Sequence, residues 1–146
     1  MQPERRFTRQ LVTRANSLKL DAWLKNTPIG FYTIEYAWKK GEHPKRGEFS
    51  PDFFIKQRNF IFVVEIKSDD EIADPAPDNI KKYEYAAAHF TRLNRWLEKK
   101  KIKVRYQFNM ISPKSYDAFF KKLREDGLVG FRSELDVVMT KAGKGS

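Results

Sequence analysis

The chain has 146 residues, 40% of them hydrophobic, with 12 Phe, 6 Tyr and 3 Trp. This length and composition predict one packed domain rather than a disordered chain, and we expect it to span residues 1–140, followed by a loose tail at 141–146. Cysteine is absent, which excludes disulfides, thiolate metal sites and cysteine nucleophiles, and is compatible with the reducing cytoplasm. The longest apolar run, residues 60–64, is too short to cross a membrane, so we expect no membrane partner.

The net charge is +10, from 29 Lys and Arg against 19 Asp and Glu. A surplus of this size favours a polyanionic partner, most simply nucleic acid. A basic surface that only keeps the protein in solution is the alternative. The basic run at residues 92–105 allows both interpretations, since it is typical of a solvated helix end and could also contact DNA.

The first half of the chain is predicted to contain one or two helices and three strands. Apolar residues recur at helical spacing between residues 3 and 26, with basic residues between them. Residues 30–40 are β-branched and aromatic and predict a strand, and residues 41–48 predict a polar loop because they contain glycine and proline. Two more strands are expected at 53–57 and 60–67.

The second half is predicted to contain a long helix, a strand and further helices. The long helix begins near Asp78 and runs to about residue 100. A strand follows at residues 102–111, then a helix capped by Ser112 and a short last helix at 131–139. The order α, β, β, β, α, β, α predicts a mixed α/β fold, in which an antiparallel meander and a helical crossover form a mixed sheet flanked by helices.

The register of the central hairpin follows from its turn. If Arg58 and Asn59 form a two-residue turn, Gln57 pairs with Phe60. Asn tolerates the positive φ that such a turn needs, although Arg does not favour it. A loop with an odd number of residues would shift the register by one residue.

In that register Asp52 lies directly opposite Glu65, and Lys67 shares the face of Glu65 because strand side chains alternate. Opposed like charges destabilise a sheet, so something should compensate for them. A divalent cation held by both carboxylates would do so, and Mg²⁺ favours one or two carboxylates together with waters and phosphate oxygens. The alternative is that all three are ordinary polar residues at strand ends.

At these residues the sequence resembles the PD-(D/E)xK nuclease superfamily, whose motif is present as Pro51-Asp52 and Glu65-Ile66-Lys67. The resemblance implies an αβββαβ restriction-endonuclease-like core and Mg²⁺-dependent hydrolysis of DNA, with Mn²⁺ as a substitute. It also implies that Asp52 and Glu65 are metal ligands and that Lys67 positions the attacking water. In this interpretation the three residues are catalytic.

The resemblance extends over most of residues 4–123. Over this range the sequence is similar to the nuclease domains of type III restriction enzymes and related helicase–nuclease proteins. It implies a helicase or translocase module in the same or a partner polypeptide. No GxxxxGK[ST] motif is present, so we expect no ATP hydrolysis of that kind. One such site cuts one strand at a time, so cleavage of both strands would need a homodimer or a second visit.

Several other residues match the family less closely. Glu4 resembles an acid that completes the metal site in some members, although an acid in a first helical turn is also favoured by the helix dipole. Asn79 and Lys82 lie near the start of the long helix, where relatives often carry a polar residue that faces the site, although Lys82 could equally be solvated. The basic residues just before Asp52 are candidates for contacts to the DNA backbone: Lys39, Lys40, Lys45 and Arg46.

The sequence therefore predicts a metal-dependent DNA endonuclease. One alternative is a DNA-binding accessory module that retains the fold without cleaving DNA, and another is a nuclease that acts on RNA. Intact Asp52, Glu65 and Lys67 argue against the non-catalytic alternative.

Overall fold

A four-stranded mixed sheet carries the polar residues singled out above. The computed structural model describes residues 2–26, 34–40 and 43–144. For residues 34–40 and 43–49 it describes the backbone alone. The strands are β1 Ala22–Lys25, β2 Ile34–Lys40, β3 His43–Phe49, β4 Phe53–Gln57, β5 Phe60–Ile66 and β6 Arg105–Ile111. The helices are α1 Pro3–Leu11, α2 Arg14–Ser17, α3 Asp70–Ala73, α4 Pro77–Lys99, α5 Tyr116–Arg124 and α6 Glu134–Lys144, and a 3₁₀ turn lies at Pro113–Ser115.

The sheet has the order β1-β4-β5-β6. β4 pairs antiparallel with both β1 and β5, whereas β5 pairs parallel with β6 after the crossover through α4. The mixed α/β class, the mixed sheet and the helical crossover are thus confirmed. In the described part of the chain, no helix is both long and apolar enough to cross a membrane.

The first strand of this sheet was wrongly predicted. β1 lies within residues 3–26, which the periodicity assigned to helix, and it pairs with β4 from Ala22 opposite Lys56 to Lys25 opposite Phe53. The segment predicted as the first strand instead forms β2, which pairs with β3 in a separate two-stranded sheet. β3 occupies the stretch predicted as a polar loop, because backbone pairing with β2 overrides the weak strand propensity of its Gly and Pro.

The hairpin of β4 and β5 has the predicted register, with Gln57 opposite Phe60. The positive φ of its turn lies at Arg58 (φ 56°) rather than at Asn59. The Arg58 N–H donates to Asp21 Oδ2 at 2.8 Å, and Lys56 Nζ donates to the Arg58 carbonyl at 3.0 Å. These two bonds hold the turn in a conformation that its sequence does not favour.

The two faces of the sheet pack against different helices. Apolar residues of β4 and β5 such as Phe53 and Val64 contact α1 and α5, in the main core. The intervening residues, including Val63, pack on Ala86 and Phe90 of α4. Because strand side chains alternate, Asp52, Glu65 and Lys67 belong to the α4 face.

Helix α6 is joined to the sheet by a buried carboxylate. Asp136 accepts hydrogen bonds from the Met110 N–H at 2.8 Å and from Asn109 Nδ2 at 2.7 Å, both on β6. Burial raises the pKa of Asp136, although these hydrogen bonds oppose the rise. The helix continues to Lys144, so most of the segment expected to be a loose tail is helical.

Helix α1 is anchored by an aromatic cluster around Phe7. The Phe7 ring is fully buried, with ring centroids 4.8 Å from Phe53, 4.9 Å from Phe120 and 5.4 Å from Tyr116. The Tyr116 hydroxyl donates to the Pro3 carbonyl at 2.8 Å. These contacts place the start of α1, including Glu4, beside the end of β5.

We expect Phe7→Ala to lower the free energy of unfolding by about 3–5 kcal/mol, because it leaves a cavity among four aromatic rings. Urea unfolding followed by circular dichroism measures the change. Leu18→Ala is the control, since Leu18 is 72% exposed and its truncation should cost less than about 0.5 kcal/mol. Equal losses for the two variants would show that α1 does not depend on the cluster.

Candidate active site

The carboxyl groups of Asp52 and Glu65 lie together at one end of the β4–β5 hairpin. Phe53 is paired with Val64, so the next residues outward, Asp52 and Glu65, face each other. Asp52 Oδ2 accepts a hydrogen bond from the Ile66 N–H at 2.8 Å. The Asp52 carboxyl is close enough to Glu65 to raise the pKa of Glu65. The register inferred from the sequence thus brings both acids to one point.

Glu65 is buried, with 5% of its surface exposed. Burial and the facing Asp52 carboxyl raise the pKa of Glu65 well above its ordinary value, whereas the positive charges of Lys67 and Lys82 act in the opposite direction. A buried carboxyl beside a second carboxyl is harder to ionise than one in water, so the charged form of Glu65 is disfavoured.

Lys67 follows β5 and extends its side chain back towards the acids. Its Nζ lies 3.5 Å from Glu65 Oε2, and the side chain is 22% exposed. The Lys67 N–H donates to the Ile111 carbonyl at 3.0 Å, which continues the ladder between β5 and β6. The backbone is therefore fixed, and the ammonium group lies between a buried acid and solvent.

Lys67 also borders an open cleft between the end of β5 and the start of α1. The cleft has a volume of about 290 Å³ and is lined by Gln2, Pro3, Glu4, Ile66, Lys67 and Ser68. Glu4 Oε2 lies 3.2 Å from Lys25 Nζ in an ion pair whose side chains are about half exposed. The structure thus brings Glu4 to the same cleft as Lys67, but the acid is paired with Lys25.

The two predicted residues of α4 have different surroundings. Lys82 lies near enough to act electrostatically on Glu65, and its Nζ is 3.3 Å from Asp78 Oδ2. Asn79 Nδ2 instead donates to Glu71 Oε1 at 2.6 Å, and Glu71 also accepts the Ala76 N–H. Asn79 therefore holds α3 against the start of α4, a role that the sequence did not predict.

The four basic residues proposed to contact DNA lie on the β2–β3 hairpin. The backbone register sets Lys45 opposite Trp38, Arg46 opposite Ala37, and Lys39 and Lys40 opposite Pro44 and His43. Their side chains lie outside the described part of the structure, so this prediction stays a prediction.

Ser112 is a residue near the site that sequence reasoning assigned to another role. It occupies the predicted cap position, but its hydroxyl makes no capping hydrogen bond. The side chain is fully buried, and among the described residues its Oγ has no hydrogen-bond partner. Ser112 is two residues beyond Met110, the register partner of Glu65, so its side chain shares the face of Glu65 and Lys67.

Arg6 and Tyr116 were also missed. The Arg6 guanidinium lies 5.9 Å from the centre of the Tyr116 ring, at the start of α1. Burial raises the pKa of Tyr116, and the negative charges of Asp69, Asp52 and Glu4 add to the rise while Arg6 opposes it. Tyr116 is therefore close enough to sense the acids, a proximity that depends on α1 and α5 packing together.

The site offers two carboxylates to a cation. Within the described ranges there is no group of three or more acids or histidines placed to hold a metal ion. Mg²⁺ is nevertheless often held by one or two carboxylates, with water and phosphate oxygens as its other ligands. Asp52 and Glu65 fit this donor set, because a divalent cation held by both would offset the repulsion between the two carboxyl groups.

Searches of protein-family models, curated proteins and solved structures each found no match to this chain.

We expect Glu65→Gln to stabilise the protein by about 1 kcal/mol near pH 8, because it removes a charge from a buried site. The pKa of Glu65 is raised in the folded state. The contribution of Glu65 to the free energy of unfolding is therefore most favourable below the pKa of Glu65 in the unfolded chain, and it is lost as the pH rises through the pKa in the folded state. The advantage of the variant should therefore shrink towards about pH 4.

Thermal unfolding across this pH range measures the effect. Glu98→Gln, at an exposed position of α4, is the control and should show no such widening with pH. A constant offset of Glu65→Gln at all pH values would contradict a raised pKa of Glu65.

We expect Ser112→Ala to raise the free energy of unfolding by about 1 kcal/mol, because a buried hydroxyl without a partner costs desolvation energy. Ser133→Ala is the matched control. The buried Ser133 Oγ donates to the Met110 carbonyl at 2.6 Å and accepts the Asp136 N–H, so its removal should destabilise by about 1–3 kcal/mol. Chemical denaturation measures both changes. Equal changes in the free energy of unfolding for the two serine variants would contradict the conclusion that the Ser112 hydroxyl is unpaired.

Proposed function

We propose that this chain is a Mg²⁺-dependent endonuclease domain that hydrolyses phosphodiester bonds in DNA. The observation that carries the proposal is the pair of facing carboxyl groups of Asp52 and Glu65, with Lys67 Nζ 3.5 Å from Glu65. Opposed acids in a buried position reduce stability, so their presence is best explained by a function.

The chemistry of the three side chains suits attack by water on a phosphodiester. Mg²⁺, or Mn²⁺ in its place, would be held by Asp52 and Glu65 and would supply positive charge to the phosphate. The Lys67 ammonium donates a hydrogen bond to the attacking water or to a phosphate oxygen as negative charge develops there. Lys82 adds positive potential from α4, and the Ile66 N–H fixes the orientation of Asp52.

The order of the elements supports a restriction-endonuclease-like core. α1, β1, β4, β5, α4 and β6 follow one another as α, β, β, β, α, β, and the β2–β3 hairpin is inserted after the first strand. The acids and the lysine lie at the ends of the second and third strands of this series, where the resemblance to PD-(D/E)xK nucleases assigns the ligands and the water-positioning lysine.

DNA is the proposed substrate because the chain is strongly basic and its motif resembles that of DNA nucleases. The same resemblance leads us to propose a helicase or translocase module as a partner, a homodimer for cleavage of both strands, and a cytoplasmic location. A binding module without catalysis would retain the basic charge, but it would have no need for the costly pair of acids.

We expect the purified protein to nick supercoiled plasmid in Mg²⁺ or Mn²⁺ and not in EDTA. Lys67→Ala should slow nicking by about 10²-fold or more, because it removes the donor that stabilises developing charge. Asp52→Asn should abolish it, and this variant keeps an oxygen that can accept the Ile66 N–H, so the fold is preserved. Lys122→Ala, at an exposed position of α5, is the control and should cut at the wild-type rate.

Metal binding is tested separately by following the melting temperature during Mg²⁺ titration. A cation at one hundred times its dissociation constant stabilises the fold by about 2.7 kcal/mol, and Glu65→Gln should lose this effect. Stabilisation without nicking of plasmid or of structured RNA would favour the binding module. The absence of both stabilisation and nicking would refute the proposal.

A further inference from the structure

A strongly basic surface lies at the C-terminal end of α4 and in the loop that follows it. Six exposed cations form this surface, which we call the basic helix end: Arg92, Arg95, Lys99, Lys100, Lys101 and Lys103. Glu98 is the one acid between residues 92 and 105 in the sequence. Within the described part of the chain, none of the six cations forms a salt bridge, whereas Lys67 and Lys82 each do.

Trp96 lies in the middle of these cations. It is 52% exposed, although a side chain of this size is usually buried to a greater degree. Arg92 lies four residues before Trp96 and Lys99 three residues after it, so both side chains share one face of α4 with the indole, and Lys100 follows at the end of the helix. Ile102, in the loop after α4, is also exposed, at 40%.

The basic helix end is far from the acids. Arg105 is paired with Phe60 at one end of the β5–β6 ladder, whereas Ile111 is paired with Ile66 at the other, next to Lys67. Along α4, Lys82 and Lys99 are 17 residues apart, or about 26 Å at the rise of an α-helix. The surface therefore does not belong to the candidate active site.

We propose that the basic helix end is a second nucleic-acid site, which binds a single strand. The cations contact successive phosphates, and the Trp96 indole stacks on one unpaired base. The exposed indole is what favours a single strand, because the faces of bases in a duplex are already stacked on their neighbours. This binding needs no metal and does not depend on cleavage at Glu65.

The test measures binding of labelled oligo(dT) by fluorescence anisotropy in EDTA, with a blunt duplex of equal length for comparison. Trp96→Ala should weaken oligo(dT) binding about tenfold, Trp96→Phe should restore most of it, and duplex binding should change less than about twofold. Trp96 is outside the core, so both variants should fold. EDTA prevents metal-dependent cleavage, so the binding result does not depend on nicking in Mg²⁺ and is separated from a failure of the nuclease proposal.

The charge contribution is tested with a triple variant, Lys99→Gln, Lys100→Gln and Lys103→Gln. Loss of three phosphate contacts should reduce the slope of log K against log salt by about 2. A triple variant elsewhere, Lys121→Gln, Lys122→Gln and Lys141→Gln, loses the same charge and should leave the slope unchanged. The proposal would be overturned if the two triple variants reduced the salt slope equally. It would also be overturned if the protein bound duplex more tightly than oligo(dT) and this binding depended on Trp96.

Discussion

The site depends on one unfavourable arrangement, the direct opposition of the Asp52 and Glu65 carboxyl groups. Burial and the Asp52 carboxyl raise the pKa of Glu65, so ionisation of Glu65 is disfavoured. Lys67, whose Nζ lies 3.5 Å from Glu65 Oε2, offsets part of the repulsion. A protein that only needed stability would have placed an apolar pair at this position.

The rest of the fold maintains this opposition. The turn at Arg58, held by Asp21 and Lys56, sets the register of the hairpin, and a shift of one residue would move the acids to different faces. The aromatic cluster around Phe7 covers the opposite face and holds α1 in place. Packing on both faces of the sheet thus fixes the backbone that carries the two acids.

Two groups of cations in the described part of the chain have different surroundings. Lys67 and Lys82 lie close to acids and act on the ionisation of Glu65, whereas the cations of the basic helix end are exposed and surround an indole. Helix α4 connects the two regions. A single nucleic-acid strand held at the C-terminal end of α4 would cross about 26 Å to reach the acids near the N-terminal end of the helix. The helix that completes the crossover thus also sets the spacing between the two regions.

Sequence patterns alone predicted the hairpin register, the placement of the two acids and the lysine, and the long crossover helix, because turn length and side-chain periodicity are local properties. They misassigned β1 and β3, since short strands with weak propensity are defined by the partner that accepts their hydrogen bonds. Three placements became visible only in the folded structure: Ser112 lies on the face of Glu65, Asn79 bonds to Glu71, and Glu4 reaches the cleft. The placements of Ser112 and Glu4 depend on contacts between segments far apart in the chain. The Asn79–Glu71 bond depends on how two successive helices pack, which helical periodicity does not encode.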